Sequence, residues 1–366
     1  MISTTTLRGN MSGTIDWVNI GPAHYPKYKA SVSSTAQNST ITDTLCATGG
    51  TFPGSNGLHG GVLMTDGRVF CVPSNLDTAR IYDPVANTVT TTVGGFGATN
   101  TFIGGVLLKD GRVFCVPTSS TTARIYNPTN NTVSTPSGTY PGSSGIHGGV
   151  LLPDGRVFCV PRSSTRGYIY DPIANSLYQT GTIYPGANAF AGGVLLPDGR
   201  VFCVPFSSTQ AYIVNPTNDA ITTVAGFPGS TAFAGGVLLP DGRVFCVPFS
   251  STSGRIYDPV SGSVTSTPAS FPGTEAHQGG ALLPNGNVFC TPSNTTTARV
   301  YNPITNTVTT PTGTYPGTNP RFAGSVALFD GRIFCVPRNG TAGRIYGLAG
   351  SRYAQDVLLS AYYNNY

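Results

Sequence analysis

Apolar runs of about five residues alternate with polar, turn-forming stretches along most of this chain, and the runs are rich in β-branched residues. That pattern predicts strands, because an amphipathic helix spreads its apolar positions at a period of about 3.6 over ten or more residues. Residues His147–Leu177 display the unit. Gly148-Gly149-Val150-Leu151-Leu152 is a first run, and Pro153-Asp154-Gly155 follows as a turn with glycine where a positive φ is needed. Arg156-Val157-Phe158-Cys159-Val160 is a second run, ended by Pro161. A polar loop, Arg162-Ser163-Ser164-Thr165, leads to Tyr168-Ile169-Tyr170. After the Asp171-Pro172 turn, Asn175-Ser176-Leu177 opens a fourth, more polar strand.

This unit recurs seven times. The second glycine of the doublet falls at Gly61, Gly105, Gly149, Gly193, Gly236 and Gly280, with Ser325 in its place in the seventh copy. A step of 43 to 45 residues carrying four short strands predicts an all-β, seven-bladed β-propeller of four-stranded blades. The first two runs are apolar on both faces, as strands wedged between blades must be. The fourth, such as Thr88–Thr92, is threonine-rich and alternating, which suits an outer edge in water. Aromatic residues in linkers such as Tyr140-Pro141-Gly142, Tyr184-Pro185-Gly186 and Phe271-Pro272-Gly273 are expected to plug the gaps between blades. The seventh copy stops at Arg344-Ile345-Tyr346-Gly347 without a fourth strand, while Asp43–Thr48 stands in the register of Asn131–Pro136. The N-terminal segment is therefore expected to complete blade seven and close the ring. This divides the chain into an N-terminal arm, 1–42, the propeller, 43–347, and a C-terminal tail, 348–366.

The glycine doublet, the run LLPDGRVF (Leu151–Phe158) and the segment Ile81–Val89 resemble kelch repeats, including those of the galactose-oxidase group. The pattern departs from kelch at Val72-Pro73, where kelch repeats carry a glycine pair, and at Val89, Val133 and Val264, where they carry tryptophan. WD40 repeats are a poorer match, since Trp17 lies outside the repeats. The resemblance implies the propeller fold. Through galactose oxidase it also raises a copper site of histidine and tyrosine at the channel mouth.

Seven of the eight cysteines, Cys71, Cys115, Cys159, Cys203, Cys246, Cys290 and Cys335, occupy one second-strand position. Facing sheets lie about 10 Å apart, too far for the roughly 7 Å limit of a disulfide, so these read as buried free thiols made in a reducing compartment. The formal charge of +5 is dispersed, and most arginines recur beside turn aspartates, as Arg68 does beside Asp66 and Arg156 beside Asp154. Such pairs look blade-internal, not like a nucleic-acid stripe. Three lysines and one glutamate among abundant Ser, Thr, Asn and Gly suit an extracellular or particle-borne surface. No apolar stretch is long enough to span a membrane, and Met1–Asn10 lacks a signal-peptide core.

Strand direction sorts the loops onto two faces. The Pro-Asp-Gly and Asp-Pro turns share one end, where the copies are nearly identical. At the other end the residue after the second-strand proline varies: Ser74, Thr118, Arg162, Phe206, Phe249, Ser293 and Arg338. Asp77, Arg166, Glu275, His277 and Arg321 join this end. The expected binding residues are Arg162, Arg166, Phe206, Phe249, Glu275, His277, Arg321 and Arg338, with Phe206 and Phe249 as an exposed aromatic patch on adjacent blades.

The acids outside the repeat are scattered, and His59, His147 and His277 belong to blades one, three and six, too dispersed for three ligands on one metal. The expectation is a non-enzymatic structural and recognition propeller without cofactor, a virion-surface or capsid-associated subunit. Its tails, with Trp17, Tyr25 and Tyr28 at one end and Tyr362, Tyr363 and Tyr366 at the other, would grip other subunits of the particle. A soluble adaptor or lectin taking a peptide or glycan, and a copper oxidase, are the alternatives.

Overall fold

A computed structural model describes residues 17–20, 23–26, 43–97, 99, 101–316 and 321–348. Seven four-stranded antiparallel sheets succeed one another around a central channel, six of them running from innermost to outermost strand in chain order. Blade one consists of Leu58–Leu63, Val69–Pro73, Arg80–Asp83 and Thr88–Thr91. Blade seven has Phe322–Ala327, Ile333–Pro337 and Arg344–Leu348, and its outer strand is Asp43–Ala47. The closing register runs from Asp43 opposite Leu348 to Ala47 opposite Arg344, so the ring closes as the repeat phase requires. Thr48 then accepts the Gly343 N–H at 3.0 Å, as Thr92, Thr180 and Thr267 accept the equivalent N–H groups in their own blades.

Of the arm and tail, only the paired strands Trp17–Ile20 and Ala23–Pro26, and Leu348 at the end of blade seven's third strand, are described. The expected grip of these segments on other subunits otherwise lies outside the described residues. No described helix is long and apolar enough to cross a membrane.

The repeat residues make the ring rigid. The linker aromatics Phe52, Phe96, Tyr140, Tyr184, Phe227, Phe271 and Tyr315 are all buried between blades. At most junctions a second-strand phenylalanine stacks on the third-strand tyrosine of the next blade, as Phe70 does on Tyr126 at 4.9 Å and Phe334 on Tyr82 at 4.6 Å. The seven second-strand cysteines are free and buried, and burial pushes their thiol pKa values up. The turn pairs form within single hairpins, such as Arg68–Asp66 and Arg156–Asp154. Exposed pairs of this kind contribute about 0–1 kcal/mol each.

Both glycines of the doublet are sterically required. The first of each pair has φ between +74° and +89°, and a Cβ on Gly60 would lie 3.1 Å from the Cα of Gly104 in the next blade. At six of the seven junctions the innermost strands therefore meet backbone to backbone and form a waist in the channel. The second glycine faces two valines of the preceding blade, and a Cβ on Gly149 would lie 2.9 Å from Val116. Below the waist, toward the uniform end, the channel is an apolar cavity of about 470 Å³ lined by Leu63, Leu107, Leu238 and Leu282. Above it lies a polar cavity.

Candidate active site

The polar cavity holds about 300 Å³ and opens among the variable loops. Two repeat positions build it. The residue just before each glycine doublet alternates toward the channel: His59, Ile103, His147, Ala191, Ala234, Gln278 and Ala323. The residue after the second-strand proline stands around the rim and is fixed by its own backbone. Arg162 donates its N–H to the Gly145 carbonyl at 2.7 Å and accepts the N–H of Ala189 of the next blade at 2.9 Å. Phe206 and Phe249 repeat this linkage toward blades five and six. The rim side chains thus start from a hydrogen-bonded belt and not from free loops.

Two imidazoles meet in the cavity. The rings of His59 and His147, from blades one and three, lie 5.9 Å apart edge to face. Gln278 of blade six brings its side-chain Nε2 to 2.9 Å from His59 Nε2. An amide nitrogen only donates, so His59 accepts there and is neutral. Burial, then the charge of Arg338, holds His59 well below the ordinary imidazole value. Burial, then Arg162, does the same to His147. Both are therefore uncharged at neutral pH.

Two arginines flank them. Arg162 is half-buried, lies 4.9 Å over the Phe206 ring and donates from Nε to Asn188 Oδ1 at 3.0 Å. Arg338 is half-buried on the other side, and Glu275 is the carboxylate whose field reaches it. Burial lowers the pKa of both guanidinium groups. Among the described residues neither has a carboxylate within 4.0 Å, all six ion pairs being in the hairpins at the opposite end.

Of the eight residues the sequence points to, the cavity brings together Arg162, Phe206, Phe249, Glu275 and Arg338. Phe206 and Phe249 do pair, at 5.7 Å, but Phe206 is only 9% exposed; they are a wall of the cavity, not an exposed patch. Arg166 turns away and donates to the carbonyls of Thr180 and Gly181. Arg321 lies outside the cavity lining; its backbone joins Ser293 to Arg338 in the belt. His277 is fully enclosed, edge-on to Phe271 at 5.7 Å. It sits one residue earlier than His59 and His147 in its strand, and a shift of one residue moves a side chain to the opposite face. The expected dispersal of the three histidines is corrected for two of them. His59 and His147 converge because the waist brings all inner strands to one axis, while His277 belongs to the core.

No protein-family model matches this sequence. No curated protein matches it in sequence either. Solved structures do match the ring. A catalytically inactive histidine-to-alanine variant of virginiamycin B lyase from Staphylococcus aureus, with quinupristin, aligns at TM-score 0.69 and 13% identity, over 84% of this chain and 100% of that one. A streptogramin B lyase aligns at TM-score 0.70 and 12% identity, over 83% and 98%. The extracellular domain of a putative one-component system from B. thetaiotaomicron aligns at 0.61 and 14%, over 79% and 38%. At such identity the likeness is one of fold: a seven-bladed propeller. These structures are lyases and an extracellular domain of a putative one-component system, not kelch proteins, so the kelch pattern supports the ring alone.

Two expectations are overturned. Against the expected non-enzymatic virion subunit, the structures that share the ring include enzymes, and none of those named above has a virion or capsid role. The repeat explains most acids as turn formers, but the chemistry gathers at channel positions where the copies differ. The copper alternative falls with His277, which cannot join the other two histidines, and no cluster of three metal-ligating side chains occurs among the described residues. The adaptor and lectin alternatives have no counterpart among these structures either.

Proposed function

We propose that this propeller is a lyase-type enzyme that abstracts a proton from a carbon beside a carbonyl at the variable mouth of its channel. The observation that carries this reading is the contact of two neutral imidazoles between two arginines that no neighbouring carboxylate pairs. A base must be unprotonated before it acts, and burial keeps His147 so at neutral pH. His59, held by Gln278, limits how the His147 ring turns. Charge that develops on the carbonyl oxygen is met by Arg162 or Arg338 in a partly dry cavity, where such stabilisation is strong. The proton goes to imidazole, the electron pair forms the new double bond, and the group on the next carbon leaves with its bonding electrons. The lyases sharing the ring lend this reading support by fold alone.

The test is proton exchange and elimination, followed by NMR in heavy water, with β-substituted carbonyl compounds that include quinupristin. Turnover that falls about 100-fold or more in His147→Ala sustains the reading. Equal rates in the variant, or no exchange with any compound, would sink it. Protonation of His147 should also switch activity off on the acid side, with that limb below the ordinary imidazole value of 6.5.

A further inference from the structure

The seven sectors of the mouth are not equivalent, and their order around the ring describes a ligand. Blades seven, one and three contribute Arg338, His59, His147 and Arg162, a polar arc with two cations. Blades four and five contribute Phe206 and Phe249, inclined at 48° to each other. Beneath them the channel positions are Ala191 and Ala234, as small as Ala323 of blade seven, where the remaining blades have His59, Ile103, His147 and Gln278. Two adjacent small residues thus leave room beneath the aromatic arc, whereas blades one, two, three and six fill the channel with larger side chains. Arg162 joins the two, its guanidinium lying over Phe206 and its charge reaching His147. Glu275, exposed at the rim, is the carboxylate lining the cavity, so two arginines face one acid.

We infer that this cavity takes a small monocarboxylate bearing a flat apolar ring, the carboxylate between Arg162 and Arg338 and the ring against Phe206 and Phe249. This rests on the proposed proton-abstracting site and names its substrate class. A half-buried guanidinium without a carboxylate partner gains most from an anion that replaces its lost water, and its planar fork matches a carboxylate. A single negative charge balances the surplus, since the imidazoles are neutral. An apolar ring gains by burial against phenylalanine and by edge or offset contact with it. Binding the anion also raises the pKa of the neighbouring imidazoles toward neutrality, which strengthens His147 as a base only when substrate is present. About 300 Å³ suits a molecule of this size.

Calorimetry with unreactive probes decides the matter: 3-phenylpropionate, its uncharged amide, and propionate, which lacks the ring. The acid is expected to bind at least about tenfold more tightly than either of the others. Arg162→Gln and Arg338→Gln should each weaken it by about tenfold while leaving the amide unchanged, and Phe249→Ser should weaken both ring-bearing probes. Glu275→Gln should tighten the acid, because it removes the one opposing charge. Thermal melts of every variant separate lost binding from lost folding. Equal affinity for acid and amide, or no saturable binding of any probe by folded protein, would overturn the inference. Binding as expected with unchanged rates in His147→Ala would leave the ligand class standing and remove the lyase chemistry; turnover of neutral compounds alone would do the reverse.

Discussion

His277 illustrates how one residue answers to its position and not to its type. It occupies the site of Phe190, Phe233 and Phe322 in other blades, between sheets and out of water. Neither ring nitrogen reaches hydrogen-bond geometry, although the Pro248 carbonyl faces it. Burial, then the charge of Arg299, pushes its pKa down to about 3 from 6.5. Between those values the unfolded chain binds a proton that the folded chain refuses. Stability is thus complete above pH 6.5 and is lost as pH falls toward 3. His277→Phe should remove this slope, and melting curves at pH 7 and pH 5 should show the variant's advantage growing in acid to about 1–2 kcal/mol. A pH-independent difference would mean that the imidazole is already paired or wet.

At the scale of strands, departures from the repeat compensate one another. Six copies place a glycine against two valines of the preceding blade, as Gly105 stands against Val62 and Val72. The seventh copy has Ser325, and blade six has Ala281 and Thr291 where those valines would be. The two hydroxyls bond at 2.6 Å, and Ala281 gives the serine room. Thr291→Val and Ser325→Gly should each destabilise, whereas the double variant restores glycine against valine at this junction with only Ala281 still departing from the pattern. Denaturant titration of the cycle should return a coupling of about 1–2 kcal/mol. Additive effects would show that the hydroxyl pair is incidental. By contrast Asp66→Asn, in an exposed hairpin pair, should change stability by less than about 1 kcal/mol in the same titration.

For the whole molecule, closure decides what solvent can reach. Cys46 lies on the closing strand and is exposed, whereas the seven second-strand thiols are buried with raised pKa values. A thiol reagent should therefore modify one cysteine rapidly in native protein and eight in denaturant. Deleting residues 43–48 removes the strand paired with Arg344–Leu348 and uncovers the edge of blade seven. Such a protein should melt at lower temperature and label Cys335 in native buffer. Labelling unchanged at Cys335 would mean that blade seven holds without its outer strand.

Blade count, strand order, ring closure and the free cysteines were legible in the sequence, because seven copies answer the same packing problem and what they share is what packing demands. Which end would vary was legible for the same reason, and it led to Arg162, Arg338, Phe206 and Phe249. The convergence of His59, Gln278 and His147 was not legible. They are distant in sequence and sit on non-adjacent blades, and only the glycine waist brings them to one axis. The fate of His277 turned on a one-residue offset from the doublet, visible in the sequence but meaningful only once strand alternation had assigned one face to the channel and the other to the core. Repetition specified the scaffold locally, blade by blade. The candidate site arises where side chains that differ from blade to blade share one cavity, and that is a property of the closed ring.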